Sequence, residues 1–224
     1  MPSCCQANFQ ALKLINAGIE TSGGFYTFAV KIIFMKITYN SPVVLTFTLI
    51  CTIIMSVDSF SFEGFTRALF TVYPNMSIGD PLTYFRLASH ALGHADWGHL
   101  VSNLTLILLL GPMLEEKYGS KLLLAMMFVT ALVTGILSAT VFASGLMGAS
   151  GIVFMFILLS SLTNFRSGHI PLTFVLVMVL FLGNEVISSF QEDNIAQFAH
   201  VLGGVCGSVF GYQFGKSGSS KSLV

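Results

Sequence analysis

Residues 122–165 form a stretch of 44 residues without one charged side chain. A transmembrane helix needs about 20 apolar residues, so this stretch is too long for a single crossing. Its segment 143–151, which is rich in small residues, predicts a break between two spans. The whole chain is 54% hydrophobic and 9% charged, whereas soluble domains carry about 25% charged residues. The sequence therefore predicts an all-α protein that crosses a membrane several times.

Six segments have the composition of membrane spans, and they define the predicted organisation of the chain. They are residues 37–57, 97–114, the two halves of 122–165, 170–190 and 195–214. Residues 1–36 are predicted to be a cytoplasmic N-terminal segment, with an interfacial helix over 24–36. Residues 37–214 form the six-helix core, and 215–224 form a flexible cytoplasmic tail.

The distribution of basic residues predicts the orientation in the membrane. With the N-terminus in the cytoplasm, eight of the ten Lys and Arg residues fall on the cytoplasmic side, and only Arg67 and Arg86 fall outside. Cytoplasmic loops are enriched in Lys and Arg. Both termini are therefore predicted to be cytoplasmic, and residues 58–96 to form a long first outer loop. The cell membrane is the expected location.

Ser150 and His200 are polar residues at the outer ends of two predicted spans. Polar groups within the membrane are costly and suggest function. Each residue alone has a structural interpretation, since serine bonds its own helix and histidine bonds a carbonyl. The fourth span, however, covers only about 20 Å, which places Ser150 below the outer surface at the depth of His200. The two residues are therefore interpreted together.

Glycines recur every four residues after His200, at Gly203, Gly207, Gly211 and Gly215. Small residues on one helix face allow close approach of a neighbouring helix. Packing of this face on the fourth span would bring His200 within reach of Ser150. A serine hydroxyl becomes a nucleophile when a base takes its proton, and histidine is suited to that role. Neither Glu185 nor Asp193 has helical spacing to His200, so the pattern favours a dyad.

Acyl transfer also requires donors for the developing oxyanion. His99 and Asn103 are four residues apart and share a face at the outer end of the second span. With the backbone N–H of Ser150 they form a predicted oxyanion hole. Helix–helix hydrogen bonding is the structural alternative for both side chains.

Other chemistries fit less well. His90, His94 and His99 suggest a zinc site, but the zincin string H-E-x-x-H is absent, so no metal or other cofactor is expected. Ile152 stands where the soluble hydrolase elbow requires a second glycine. The net charge is zero, which gives no indication of a nucleic-acid partner. The sequence indicates no oligomeric state.

Taken together, these motifs resemble those of the rhomboid intramembrane serine proteases over residues 37–214. The resemblance is carried by His94, His99, Asn103, Gly111, Glu115 and Gly119 in the second span, Gly148, Ser150, Gly151 and Phe154 in the fourth, and Ala199, His200, Gly203 and Gly207 in the sixth.

The resemblance implies a six-helix rhomboid-like bundle in which Ser150 is the nucleophile and His200 the general base. It implies an oxyanion hole of Asn103, His99 and the Ser150 amide. Phe154 would pack against the His200 ring, and Arg86 would stabilise the first outer loop. His94, Gly148 and Gly151 would support the site. Phe85 and Leu106 depart from the family pattern, which has a tryptophan before the arginine and an aromatic residue after the asparagine.

The expected function is an endopeptidase that cleaves transmembrane protein substrates in or next to their spans. Hydrolysis needs water, so the polar pocket, in which we include His94, is expected to open to the outer face of the bilayer. A non-catalytic relative that binds membrane clients is the alternative. A transporter would require more intramembrane charges than Glu185.

Overall fold

The fold is described from a computed structural model, over residues 38–141, 145–162, 172–173, 175–176, 179–180 and 194–215. The chain divides into two units, Met1–Tyr39 and Asn40–Val224, and the following description concerns the second. The predicted interfacial helix, most of the predicted fifth span and nearly all of the tail lie outside the described residues. The α-helices are α1 (Pro42–Phe60), α2 (Phe65–Phe70), α3 (Pro81–Ser89), α4 (Trp97–Tyr118), α5 (Ser120–Val141), α6 (Ser150–Ser161) and α7 (Asn194–Phe214), with a 3-10 turn at His90–Leu92.

Among the described residues, three helices are long and apolar enough to cross a membrane: α1, α4 and α5. Helix α6 is apolar but has only 12 residues, a length of about 18 Å against a hydrocarbon core of about 30 Å. It lies at the centre of the fold, where α4, α5 and α7 all pack on it. Its Met155, Phe156 and Leu159 are fully buried.

Helices α1 and α4 are antiparallel and are joined at both ends. The Glu115 carboxylate accepts hydrogen bonds from the N–H groups of Val43 (3.0 Å) and Val44 (3.1 Å), which lie in the first turn of α1. These groups have no partner within their own helix, so Glu115 replaces a cap. At the opposite end, Trp97 Nε1 donates to Ser59 Oγ (3.1 Å).

The segment between α1 and α4 is held by local caps and by one arginine. Asp80 caps α3 by accepting from the Leu82 N–H (2.9 Å). Arg86 of α3 donates to the carbonyl of Ala68 and lies over the Tyr73 ring, 5.6 Å from its centroid. Arg86 thus connects α3 to the preceding part of the segment.

Helices α6 and α7 run parallel in direct backbone contact. A Cβ at Gly203 would collide with the backbone of Gly151, and one at Gly207 would collide with the backbone of Met155. Further along, Gly211 packs against Leu162. The absence of side chains at four-residue spacing therefore permits this approach, as the glycine pattern predicts.

Candidate active site

Ser150 is the first residue of α6 and follows the buried residue Ala149. The N–H groups of the first helical turn have no preceding carbonyls to bond and carry the positive end of the helix dipole. Ser150 is half-buried, and its side chain lines a cavity of about 390 Å³. The helix start thus presents both a hydroxyl and backbone donors at one place.

His200, on α7, lines the same cavity as Ser150. Its ring packs on that of Phe154, with the centroids 4.3 Å apart and the planes at 37°. Phe154 lies one turn after Ser150 on α6, so the histidine ring contacts the helix that carries the serine. The complete lining consists of His99, Ser102, Asn103, Leu106, Gly145, Leu146, Met147, Ser150, Val153, Phe154 and His200.

His99 and Asn103 enter the cavity from the first turns of α4. The Asp96 side chain caps this helix by accepting from the His99 N–H (2.8 Å), which fixes where the helix begins. Asn103 Nδ2 donates to the His99 carbonyl (3.1 Å), and Ser102 Oγ donates to the same oxygen (3.0 Å). The Asn103 amide carries two hydrogens, so one remains for a group in the cavity.

Gly148 lies against the ring of His99, two residues before Ser150. Its φ of +129° is a conformation that side chains disfavour. A Cβ at this position would lie 2.6 Å from Cε1 of His99. The Gly148 N–H donates to the His90 carbonyl (3.0 Å). Glycine is therefore required here both by the backbone and by the neighbouring imidazole.

The strand-like pairing of Val72 with Leu146 ties the segment before Ser150 to residues 61–96. The two residues exchange both backbone hydrogen bonds, at 3.0 and 2.9 Å. Together with the Gly148–His90 bond, this pairing fixes residues 145–149. These links could not be predicted from the sequence, because backbone groups leave no residue-specific pattern. Ser102 and Met147 also line the cavity, although no motif predicted them there.

His94 does not line the cavity, contrary to its inclusion in the predicted polar pocket. It is 2% exposed and lies behind His99, with the ring centroids 5.2 Å apart in an edge-to-face arrangement. Neither ring nitrogen has a partner in hydrogen-bond geometry within the part of the chain that the structure describes. Burial, and to a lesser degree the neighbouring His99, lower the pKa of His94 to about 4, against the smaller opposing effects of the Leu92 backbone and Asp96. His94 is thus a neutral ring supporting His99.

His90, the first residue of the 3-10 turn, is also buried. Its Nε2 lies 3.0 Å from the carbonyl of Ala131 and 3.4 Å from Thr134 Oγ1. Burial lowers the pKa of His90 to about 4 despite the bond to Ala131. In the described part of the chain, no three His, Cys, Asp or Glu side chains are grouped as metal ligands.

The chain also matches a known domain family. The Rhomboid domain family matches residues 81–217, more than half of the chain. The chain belongs to the rhomboid family. It is similar to the rhomboid protease GlpG of Haemophilus influenzae, with 25% identity over 176 residues that cover 77% of this chain and 91% of that protein. With its apolar helices, this rhomboid is an all-helical integral membrane protein.

Gly151 is placed where this rhomboid's two central helices meet. A Cβ on it would lie 3.1 Å from Cγ2 of Thr134 and 3.4 Å from the carbonyl oxygen of Ala199. The residue is buried. Glycine at this position lets α5 and α7 approach α6 directly after Ser150.

Proposed function

We propose that this rhomboid is an intramembrane serine endopeptidase that hydrolyses peptide bonds in or next to transmembrane segments of membrane protein substrates. Ser150 is the nucleophile and His200 the general base. The observation that carries this proposal is the single cavity lined by Ser150, His200, His99 and Asn103. The relationship to a rhomboid protease supports the same chemistry.

In the first step His200 takes the proton from Ser150 as the serine oxygen attacks the scissile carbonyl carbon. The carbonyl oxygen becomes an oxyanion, and His200 then gives its proton to the leaving amine as the C–N bond breaks. Water, deprotonated by His200, attacks the acyl-enzyme, and the serine leaves with that proton.

The oxyanion is stabilised by donors that are already in place. Asn103 supplies its second amide hydrogen, His99 supplies a ring N–H, and Ser150 supplies its backbone N–H. The N-terminal end of α6 adds a favourable dipole at the same position. Preorganised donors of this kind stabilise the transition state without having to reorient.

The remaining site residues support these groups. Phe154 orients the His200 ring, and Gly148 leaves space for the imidazole of His99. His94 packs on His99 from the side away from the cavity. Gly151 permits the contact between α6 and α7 that brings the dyad together.

We propose six spans with both termini in the cytoplasm, residues 58–96 as the long first outer loop, and a cavity that opens to the outer face of the cell membrane. Water reaches Ser150 from that face. A substrate helix has its backbone groups bonded internally, so the scissile segment must unwind before it enters the cavity. Substrates with helix-breaking residues near the cut are therefore expected.

The test is cleavage of a transmembrane reporter in membranes, together with fluorophosphonate labelling of the purified protein. Ser150→Ala and His200→Ala should each abolish cleavage, and Ser150→Ala should abolish labelling. Ser161→Ala is the matched control, because Ser161 lies at the other end of α6 and bonds only the Ile157 carbonyl (2.9 Å). Cleavage retained by Ser150→Ala would refute the assignment. A client-binding protein without catalysis would show neither labelling nor cleavage.

A further inference from the structure

A second cavity, of about 740 Å³, lies away from the candidate active site. One wall is α1 from Pro42 to Ile50, and the other is α5 from Ser120 to Leu132. The segment Tyr84 to Leu92 closes one end, and Ile152 of α6 lies at the bottom. We name this space the α1–α5 groove.

The lining of the α1–α5 groove is suited to hydrocarbon. Of its polar side chains, the Tyr84 hydroxyl donates to the Ile78 carbonyl (2.9 Å) and the Ser120 hydroxyl donates to Glu115 (2.7 Å), whereas the buried Ser89 hydroxyl has no hydrogen-bond partner among the described residues. No charged side chain that the structure describes lines the groove. Because burial of apolar surface is the main favourable interaction available there, the occupant must be apolar along its length.

The mouth of the groove faces the bilayer. Ile50, Leu124 and Phe128 line it and are exposed at 39%, 55% and 54%, on helices long and apolar enough to cross a membrane. The medium in contact with these side chains in the membrane is lipid hydrocarbon. A lipid acyl chain is therefore the ligand that reaches the groove directly.

Length and charge identify the kind of lipid. Ser120 to Leu132 covers about 18 Å along α5, close to the roughly 15 Å of hydrocarbon in one leaflet. The groove is lined on α5 by Leu124, Phe128 and Leu132, which are four residues apart and share one helix face. The exposed Lys121 precedes Leu124 by three residues, so it lies at the start of the same face. Lysine at the membrane surface attracts lipid phosphate.

We propose that the α1–α5 groove binds one acyl chain of a phospholipid whose phosphate pairs with Lys121. The chain lies between α1 and α5, and its end reaches the side of α6 that carries Ile152. Ile152 is two residues after Ser150. The segment that closes the groove contains His90, whose carbonyl holds the Gly148 N–H. The lipid thus supports the active-site backbone from behind, and this last consequence rests on the proposed function.

Binding is tested without substrate, by native mass spectrometry of the detergent-purified protein with added dioleoylphosphatidylglycerol. We expect one retained lipid per chain. Thr46→Trp fills the groove and should reduce retention at least about fivefold, whereas Leu49→Trp, on the same helix but outside the lining, should not. Lys121→Gln should weaken binding about fivefold. Dioleoylglycerol, which has the same chains and no phosphate, should bind correspondingly less.

A second pair of variants, on α5, keeps the test valid if Thr46→Trp does not fold. Leu124 lines the groove on α5, whereas its exposed neighbour Ala125 does not. Leu124→Trp should therefore reduce lipid retention, and Ala125→Trp should not. Equal lipid retention within both pairs, or equal retention of phospholipid and diacylglycerol, would overturn the proposal. Because the Ser150→Ala protein should retain lipid like the wild type, loss of proteolysis and loss of lipid binding are distinguishable.

Discussion

The imidazole of His99 lies directly against the backbone of Gly148. A Cβ on Gly148 would be 2.6 Å from Cε1 and 2.9 Å from Nε2 of that ring, and the glycine has a φ of +129°. The ring that we propose as an oxyanion donor is therefore positioned by the absence of a side chain two residues before the nucleophile.

Gly148→Ala should reduce reporter cleavage by on the order of 10², because the new methyl group displaces a donor from the oxyanion hole. Initial cleavage rates in reconstituted vesicles measure the effect. Gly79→Ala is the control, since a Cβ there would meet its nearest neighbour at an ordinary 3.7 Å. Equal rates for the two variants would contradict the proposed role of His99.

Asn103→Ala should lower kcat by about 10² with little change in KM, because the lost donor acts in the transition state. Thr105→Ala, on the same helix, removes only an exposed hydroxyl that bonds the Val101 carbonyl (2.7 Å) and should leave kcat unchanged. A rise in KM alone would assign Asn103 to substrate binding instead.

Glu115→Gln should destabilise the protein by about 1–3 kcal/mol, because one α1 N–H would face an amide NH₂ in place of a carboxylate oxygen. The midpoint of thermal unfolding in detergent is the measurement. Glu116→Gln, the exposed neighbour, has the same chemistry without these contacts and should have the wild-type midpoint. An unchanged midpoint for Glu115→Gln would show that other contacts hold α1 on α4.

Gly203→Ala should separate α7 from α6, because its methyl group would overlap the Gly151 carbonyl. We expect a destabilisation of about 1–3 kcal/mol from overpacking and slower fluorophosphonate labelling of Ser150. Ser208→Ala removes a hydroxyl that bonds only the Gly204 carbonyl of its own helix (2.9 Å) and serves as the control. Labelling at the wild-type rate in Gly203→Ala would show that Ser150 is activated without this contact.

The helix starts and the helix contact that could be predicted from the sequence are those that depend on the spacing of side chains along the chain. Trp97 and Ser150 begin helices where hydropathy and the small-residue break predicted, and the glycines after His200 make the contact that their spacing indicated. The predicted first span was displaced: it was placed at 37–57, whereas α1 is Pro42–Phe60. Proline at the first helical position accounts for this start, because its missing N–H costs nothing there.

The features that sequence did not reveal depend on backbone geometry. The Val72–Leu146 pairing and the Gly148–His90 bond join main-chain atoms, which any residue other than proline supplies. His94 was misplaced for a related reason. A histidine motif gives the spacing of rings along the chain, but not which ring faces the cavity and which is buried behind it.

The parallel contact between α6 and α7 has a mechanical consequence. Ser150 and His200 lie near the start of two helices that touch backbone to backbone at Gly203 and Gly207, so we expect the two residues to move together. In the proposed mechanism, a substrate would therefore enter by displacement of other helices, and the proposed proton transfer from Ser150 to His200 would not be disturbed.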